Sequence, residues 1–373
     1  MHDTRTGNPN VAHVTSPSPA HGGRGEAASS PTARAVWFSG PEAVEIREEP
    51  LPAVGPDEIL VCTSRSAISA GTEMLVYRGQ IPPGTSLDLP TLAGSFEFPI
   101  KYGYASVGTV LETGSSVQHL FPGDRVFCLH PHQTAYVIPA DLAWPLPADL
   151  PAERAVLAAN METALNVLLD TPVRVGERVA IFGQGTVGLL IGLLARRNGA
   201  GRVVVVDPIE RRRELAVALG ADASLDPTAF STDSLAETLT DSLGGRPDLI
   251  FEASGSPAAL QTAIEAVADE GTVTVCSWYG TKPVPLMLGG RFHRGRVRLR
   301  STQVGRVPPE LLGRWSYERR RAADLELLAS LPLDRLVSHR FTFEDAAVAY
   351  RLVAERPEEA VQVVLTYGEE VGP

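Results

Sequence analysis

The run Gly183-Gln184-Gly185-Thr186-Val187-Gly188 constrains the fold of this chain more than any other segment. It directly follows the apolar run RVAIF (178–182) and opens the apolar stretch TVGLLIGLLARR; the next apolar run, VVVV, ends in Asp207. A G-x-G-x-x-G pattern alone is weak, but between a strand and a helix each glycine has a mechanical task. The first permits the tight turn, the second lets a pyrophosphate approach the backbone, and the third lets the helix pack close to the sheet. The helix N-terminus then offers unbonded N–H groups to an anion. Asp207, 24 residues after Gly183, is placed to accept hydrogen bonds from a ribose 2′-hydroxyl and would repel a 2′-phosphate. A dinucleotide site is expected, with NAD preferred over NADP.

The expected cofactor-binding set is Gly183, Gln184, Gly185, Thr186, Val187 and Gly188, then Asp207, Pro208 and Arg212, with Ser254 and Gly255 farther on. Ser254 and Gly255 follow the apolar run DLIFEA, where small residues at a strand's C-terminal edge leave room for the nicotinamide end. A plain loop is the alternative. Arg212 belongs to Arg211-Arg212-Arg213, which begins four residues after Asp207 and is within reach of a phosphate. The preferred reading of the triplet is a solvated basic helix face.

The surrounding chain has the material for such a fold. Its 373 residues imply two domains, and 44% hydrophobic with 21% charged residues is ordinary globular composition. A net charge of −11 argues against nucleic-acid or anionic-membrane partners, leaving a small-molecule substrate. No apolar run reaches membrane-spanning length, and Val187–Ala195 reads as a buried helix. Cys62, Cys128 and Cys276 lie apart in β-like runs, forming neither a disulfide framework nor a metal clip, which suits the cytoplasm. Residues 1–31, rich in Pro, Ser and Gly, are expected to be a disordered tail. From residue 33 to about 150 short strands alternate with Gly/Pro turns, as in a barrel-like β unit. After Pro151 helices alternate with Val-rich strands, the pattern of a parallel sheet covered on both faces.

The order of these segments resembles the medium-chain dehydrogenase/reductase superfamily over residues 33–367. The match is carried by LPAVGPDEILVCTSRSAISAGTEM, YGYASVGTVLETGSSVQHLFPGDRVF, RVGERVAIFGQGTVGLL and GRVVVVDPIERRRELAVALGAD. SAISAGTEM and GYASVG are most similar to its bacteriochlorophyllide-dehydrogenase-like and threonine-dehydrogenase-like branch. The resemblance implies an α/β chain: a GroES-like β-rich catalytic domain (32–158 and 304–373) and a doubly wound parallel-sheet Rossmann cofactor domain (159–303). It also implies a homodimer or homotetramer, a dimer forming through the cofactor-domain sheet edge from TVTVCSW to RVRLRST.

Many relatives hold a catalytic zinc, and here the resemblance breaks. The positions of its ligands carry Ala70, Tyr104 and Ala105, with no cysteine near Ala159. A catalytic zinc needs about three N, S or O protein ligands, so no zinc is expected. A hydrogen-bond donor must then stabilise the developing oxyanion. Tyr104, at the lost histidine position, is the first candidate; Thr72, at the relatives' hydroxyl relay position, is the second. Ser69 and Glu73 share that loop, Glu73 being able to orient an arginine or backbone groups rather than react. Glu162 is read as a helix-surface carboxylate, with a place near the nicotinamide as the alternative. His130 and His132, at i and i+2, are read as surface or substrate-lining residues rather than as a metal pair. Trp278, Tyr279, Gln303, Arg306 and Trp315 are candidates for lining a substrate pocket.

The expected activity is NAD(H)-linked interconversion of a secondary alcohol and a ketone without zinc. The alternatives are NAD(P)H-dependent reduction of an activated C=C bond, and a non-catalytic dinucleotide-binding protein.

Overall fold

Two large sheets and a two-stranded hairpin make up the strands of the described residues, and the residues of the large sheets explain which way each faces. The computed structural model describes residues 31–368 apart from Asp88 and Ala93. The expected disordered tail therefore lies, but for Pro31, outside the described residues.

The first sheet is organised around the long strand Glu58–Ile68, which pairs antiparallel with Ser106–Thr113, Ala135–Pro139 and Gln362–Thr366. Arg125–Cys128 and Trp144–Pro145 extend it on one side, and Val337–Thr342 on the other. A hairpin of Thr32–Gly40 and Ala43–Pro50 is tied to it by Val36 N–H donating to the His132 carbonyl and Thr134 N–H to that of Arg34. The segment after Ser69, read from sequence as a loop, enters a short helix at Thr72–Tyr77 whose apolar side packs on helix Ala346–Glu355.

The second sheet has six parallel strands. In spatial order they are Ala223–Leu225, Arg202–Val206, Arg178–Phe182, Leu249–Glu252, Thr272–Val275 and Arg298–Ser301. Alternation assigns Val179, Ile181, Val203 and Val205 to one apolar core, and Ala180, Phe182, Val204 and Val206 to another. Both faces are thus covered, which is why these strands read as continuous apolar runs. Helix Thr186–Arg197 lies on the first face, and helices Thr232–Leu243 and Pro257–Ala266 on the second. Thr232–Leu243 escaped the sequence reading, although Ser231 and Ser234 form a capping box and Gly244 closes it in the left-handed conformation. Two helices, Ala152–Ala155 and Ala158–Asp170, precede the strand Arg178–Phe182.

Strand order reverses on either side of Arg178–Phe182, whose successor in sequence lies to one side and Leu249–Glu252 to the other. A crevice opens at the carboxyl ends of strands at such a switch point. The first of the two cores also runs through to the first sheet, taking in Ala67, Val107, Phe127 and Val364.

Candidate active site

The crevice is a cavity of about 710 Å³ at the ends of Arg178–Phe182 and Arg202–Val206, reaching across to Ser69 and Tyr104. Its floor is the glycine turn. Gly183 has φ of +90°, and a Cβ there would lie 2.6 Å from the Ser254 nitrogen. A Cβ on Gly188 would come within 1.9 Å of the Gly183 carbonyl oxygen, so helix and turn touch as the motif requires. A Cβ on Gly185 would meet nothing within 4 Å, because Gly185 faces the open cavity. No side chain caps the helix that starts after it. The cradle is therefore open where a pyrophosphate needs both space and N–H donors.

Asp207 stands beside the turn, buried, with its carboxylate held by two backbone donors: Gln184 N–H at 2.6 Å and Ile209 N–H at 2.8 Å. Each oxygen keeps acceptor capacity for a hydroxyl. Gly183, Gly185, Thr186, Val187, Gly188, Asp207, Pro208, Arg212, Ser254 and Gly255 all line the cavity. Gln184 does not; its side chain is buried and donates to the Gly183 carbonyl at 2.9 Å.

The arginine triplet is a solvated face only in part: Arg211 is exposed, whereas Arg212 and Arg213 are half-buried. Arg211 donates to the Glu359 carbonyl, and Arg212 to those of Pro357 and Ala360. Arg213 donates to the carbonyls of Asp207 and Pro208 and lies 3.5 Å from Asp226. Carbonyls distant in sequence claim the Arg211 and Arg212 guanidinium groups, and nearby ones claim that of Arg213.

Ser254 and Gly255 are fixed by a group the sequence reading passed over. The fully buried Glu252 carboxylate accepts from Ser254 N–H at 2.8 Å, Gly255 N–H at 3.1 Å, the Ser254 hydroxyl and the Tyr279 hydroxyl at 2.7 Å. Tyr279 is thereby turned away from the cavity, its phenol pushed well up by burial and by Glu252. Trp278 lines the cavity and is 41% exposed. Gln303, Arg306 and Trp315 are not among its lining residues. Asn160, Thr163, Cys276, Lys282 and Gln362 are, and none was foreseen. Gln362 had one legible signal, a polar residue inside the apolar run AVQVVLTY. It accepts from the Thr186 hydroxyl at 3.1 Å and donates to the Ile68 carbonyl at 2.8 Å, joining the glycine turn to the first sheet.

At the far end Ser69, Ala70, Gly71, Thr72 and Tyr104 line the same cavity. The Tyr104 hydroxyl donates to Ser69 Oγ at 2.5 Å. Burial, and then the charge of Glu73, push the Tyr104 phenol up to about 12, against the opposing hydrogen bonds of Ser69 and Thr72. Glu73 itself is fully buried behind the loop and accepts from Ser69 N–H at 2.9 Å. It orients backbone and does not line the cavity.

Three readings of polar residues are corrected by burial. His130 and His132 are both buried and neither lines the cavity. His130 stacks on Tyr136 and is pushed down to about 3 by burial. His132 pairs with Glu73 and Ser66. Glu162 is not on a helix surface: it is buried against Arg320 at 2.6 Å, and burial raises its carboxyl.

Among the described residues no helix is long and apolar enough to cross a membrane.

Residues 186–316 match the zinc-binding dehydrogenase family. D-guloside 3-dehydrogenase of Escherichia coli (strain K12) is 30% identical over 273 residues, 72% of this chain and 77% of that protein. Sorbitol dehydrogenase of Rattus norvegicus is 25% identical over 346 residues, 83% of this chain and 90% of that one. The alcohol dehydrogenase of Thermus sp. ATN1 superposes with a TM-score of 0.69 at 27% identity, covering 90% of this chain and 99% of its own. Joined to an open glycine cradle at the switch point of a doubly wound sheet, these likenesses show that the chain belongs to the medium-chain dehydrogenase/reductase superfamily of oxidoreductases.

Proposed function

We propose that the protein is a zinc-independent, NAD(H)-linked oxidoreductase that interconverts a secondary alcohol and a ketone by hydride transfer. The observation that carries this reading is the sharing of one cavity by the dinucleotide cradle and the Tyr104–Ser69 hydroxyl pair.

The cradle suits a dinucleotide because Gly185 leaves space and Asp207 offers acceptors. Gln184 N–H and Ile209 N–H hold the Asp207 carboxylate where it would meet a 2′-hydroxyl and oppose a 2′-phosphate. The bound nicotinamide would supply a hydride acceptor or donor. The donor set does not suit zinc. Ala70, Ala105 and Ala159 offer no side-chain ligand, Tyr104 is spent on Ser69, and among the described residues no three His, Cys, Asp or Glu side chains gather for a metal.

On oxidation the carbinol hydrogen would leave as hydride to the nicotinamide, and the Ser69–Tyr104 hydroxyl pair, both members protonated, would relay the hydroxyl proton, releasing one proton to solvent for each it takes up. On reduction the same pair donates to the developing alkoxide. Relatives named for a guloside and for sorbitol support a carbohydrate-like alcohol as substrate.

We assign residues 159–303 to the cofactor half, and 32–158 with 304–373 to the GroES-like substrate half. Strand Arg298–Ser301, at the sheet edge with Leu299 38% exposed, is our choice for a homodimer contact. A cytoplasmic location agrees with three free cysteines.

Parallel fluorescence titrations with NADH and NADPH test the cofactor assignment, and tighter NADPH binding would overturn it. Oxidation of sorbitol and of alkyl glycosides with NAD, followed at the nicotinamide absorbance after chelator treatment, tests the chemistry. Turnover that chelation abolishes and zinc restores would refute zinc independence. Reduction of enones, with every alcohol and ketone inert, would favour the C=C reductase alternative.

A further inference from the structure

Behind the cavity wall lies a polar cluster that the proposed reaction has not used. Glu73, at the start of the helix Thr72–Tyr77, and His132, in the turn before strand Ala135–Pro139, are both fully buried. Glu73 Oε2 lies 3.0 Å from His132 Nε2 and also accepts from the Tyr350 hydroxyl; Oε1 accepts from Ser69 N–H. His132 Nδ1 is 2.6 Å from Ser66 Oγ, which is 2.7 Å from the Tyr367 hydroxyl.

A neutral His132 satisfies the whole set. With the carboxylate only accepting, Nε2 carries the imidazole proton and Nδ1 accepts from Ser66, which accepts in turn from Tyr367. Buried polar groups survive only when satisfied in this way, and a fully satisfied network is rigid. A Cβ on Gly103, just before Tyr104, would lie 2.9 Å from the His132 ring, so the imidazole also packs against the segment that carries the phenol. The cluster therefore grips both segments of the site: the loop through Ser69 N–H, and the Tyr104 segment through the His132 ring.

We propose, building on the oxidoreductase reading above, that Glu73 and His132 are positioning residues of this site. Their buried carboxylate–imidazole pair holds Ser69 against Tyr104, and the Glu73 charge opposes ionisation of the phenol. Neither touches substrate; each acts through Ser69 and Tyr104. The pair does by hydrogen bonding what a metal would do by coordination, fixing the point at which a substrate oxygen is met.

The groups facing the phenol are Glu73, Ser69 and Thr72, with the Tyr102 ring at 6.0 Å. Those facing the carboxylate are His132 and Tyr350, with Tyr367 behind Ser66. Only Glu73 brings a negative charge to the phenol, so neutralising it at constant shape isolates its effect.

The test is an ultraviolet titration of tyrosinate in the full-length protein up to pH 11, comparing wild type, Glu73→Gln and Glu73→Gln/Tyr104→Phe. Glu73→Gln should gain a tyrosinate ionisation, lowered by about one pH unit or more, that the double variant lacks. Identical curves for wild type and Glu73→Gln would overturn the charge role. In the wild type, 1H–15N spectra should show a slowly exchanging imidazole proton that His132→Asn removes; its absence would overturn the pairing even if Glu73→Gln fails to fold. NADH titration of the same proteins separates the two readings, because failure of the wild type to bind NADH would sink the oxidoreductase reading and leave the phenol result standing.

Discussion

Replacing Asp324 by Asn should flatten the pH dependence of folding stability between about pH 4 and pH 9. Asp324 lies on the helix Tyr317–Ser330, fully buried, and among the described residues neither carboxyl oxygen has a hydrogen-bond partner. Burial, and then the neighbouring charge of Glu162, lift its carboxyl to about 9, with Arg320 opposing. The sign follows from which state holds the proton. An unfolded Asp loses its proton near pH 4, whereas the folded one keeps it to about 9, so across that interval the folded state binds more protons. Stability is then greatest below the unfolded value and declines with rising pH, by at most about 1.4 kcal/mol per unit for one group. From pH 6 to pH 8 the decline attributable to Asp324 approaches about 3 kcal/mol. Asn has the shape of the neutral acid and nothing to titrate. Urea unfolding at pH 6, 7 and 8 gives the midpoints, and an unchanged slope m keeps the comparison one of stability alone. His130 acts in the opposite sense: folded it stays neutral above about 3 while an unfolded imidazole takes up a proton near 6.5, so it adds stability as pH rises toward 7, equally in wild type and Asp324→Asn, and cancels in the comparison. Equal losses of stability with pH in wild type and Asp324→Asn would refute the reasoning.

Tyr104→Phe should depress turnover by roughly 10²- to 10³-fold, the scale of losing one oxyanion donor, and leave NADH affinity unchanged; steady-state rates beside a binding titration decide it. Asp207→Ala should weaken NADH binding by about 1–3 kcal/mol, and an unaltered affinity would remove its assigned role. Two glycines should part company. Gly185→Val should fold normally and lose NADH binding, because its side chain would enter the open cradle. Gly188→Ala should cost about 1–3 kcal/mol or more of stability, because its Cβ would lie 1.9 Å from a backbone oxygen; thermal melts of both variants check the contrast.

Where geometry is local, the sequence was a sufficient guide. Strand Arg178–Phe182, the glycine turn, helix Thr186–Arg197 and Asp207 lie within 30 residues, and each is dictated by spacing and side-chain size. The Tyr104–Ser69 bond was approachable because a resemblance placed both near one reacting point. What escaped are pairs whose members are far apart in the chain. Glu73 meets His132 across 59 residues, and Glu162 meets Arg320 across 158. A buried charge reads as a surface charge until its partner is known, which is why Glu162 and the two histidines were misplaced. Arg211 and Arg212 show the same limit, since their partners are backbone carbonyls at 357–360, which carry no sequence signal.

The pairing of Val363 with Ile68 joins residues 295 positions apart, and Gln362 beside it bonds both Thr186 and the Ile68 backbone. During synthesis, the edge of strand Glu58–Ile68 that receives this partner stays open until Gln362–Thr366 has left the ribosome. Contacts of such separation form late and slowly, and an unpaired edge is exposed to association in the meantime. The glycine cradle, built from neighbours in sequence, has no such wait. The nucleotide end of the cleft is therefore able to form before the substrate end is finished. A ribosome paused shortly before Gln362 would present a nearly complete cradle beside an unclosed sheet, the stage at which this chain most needs a chaperone.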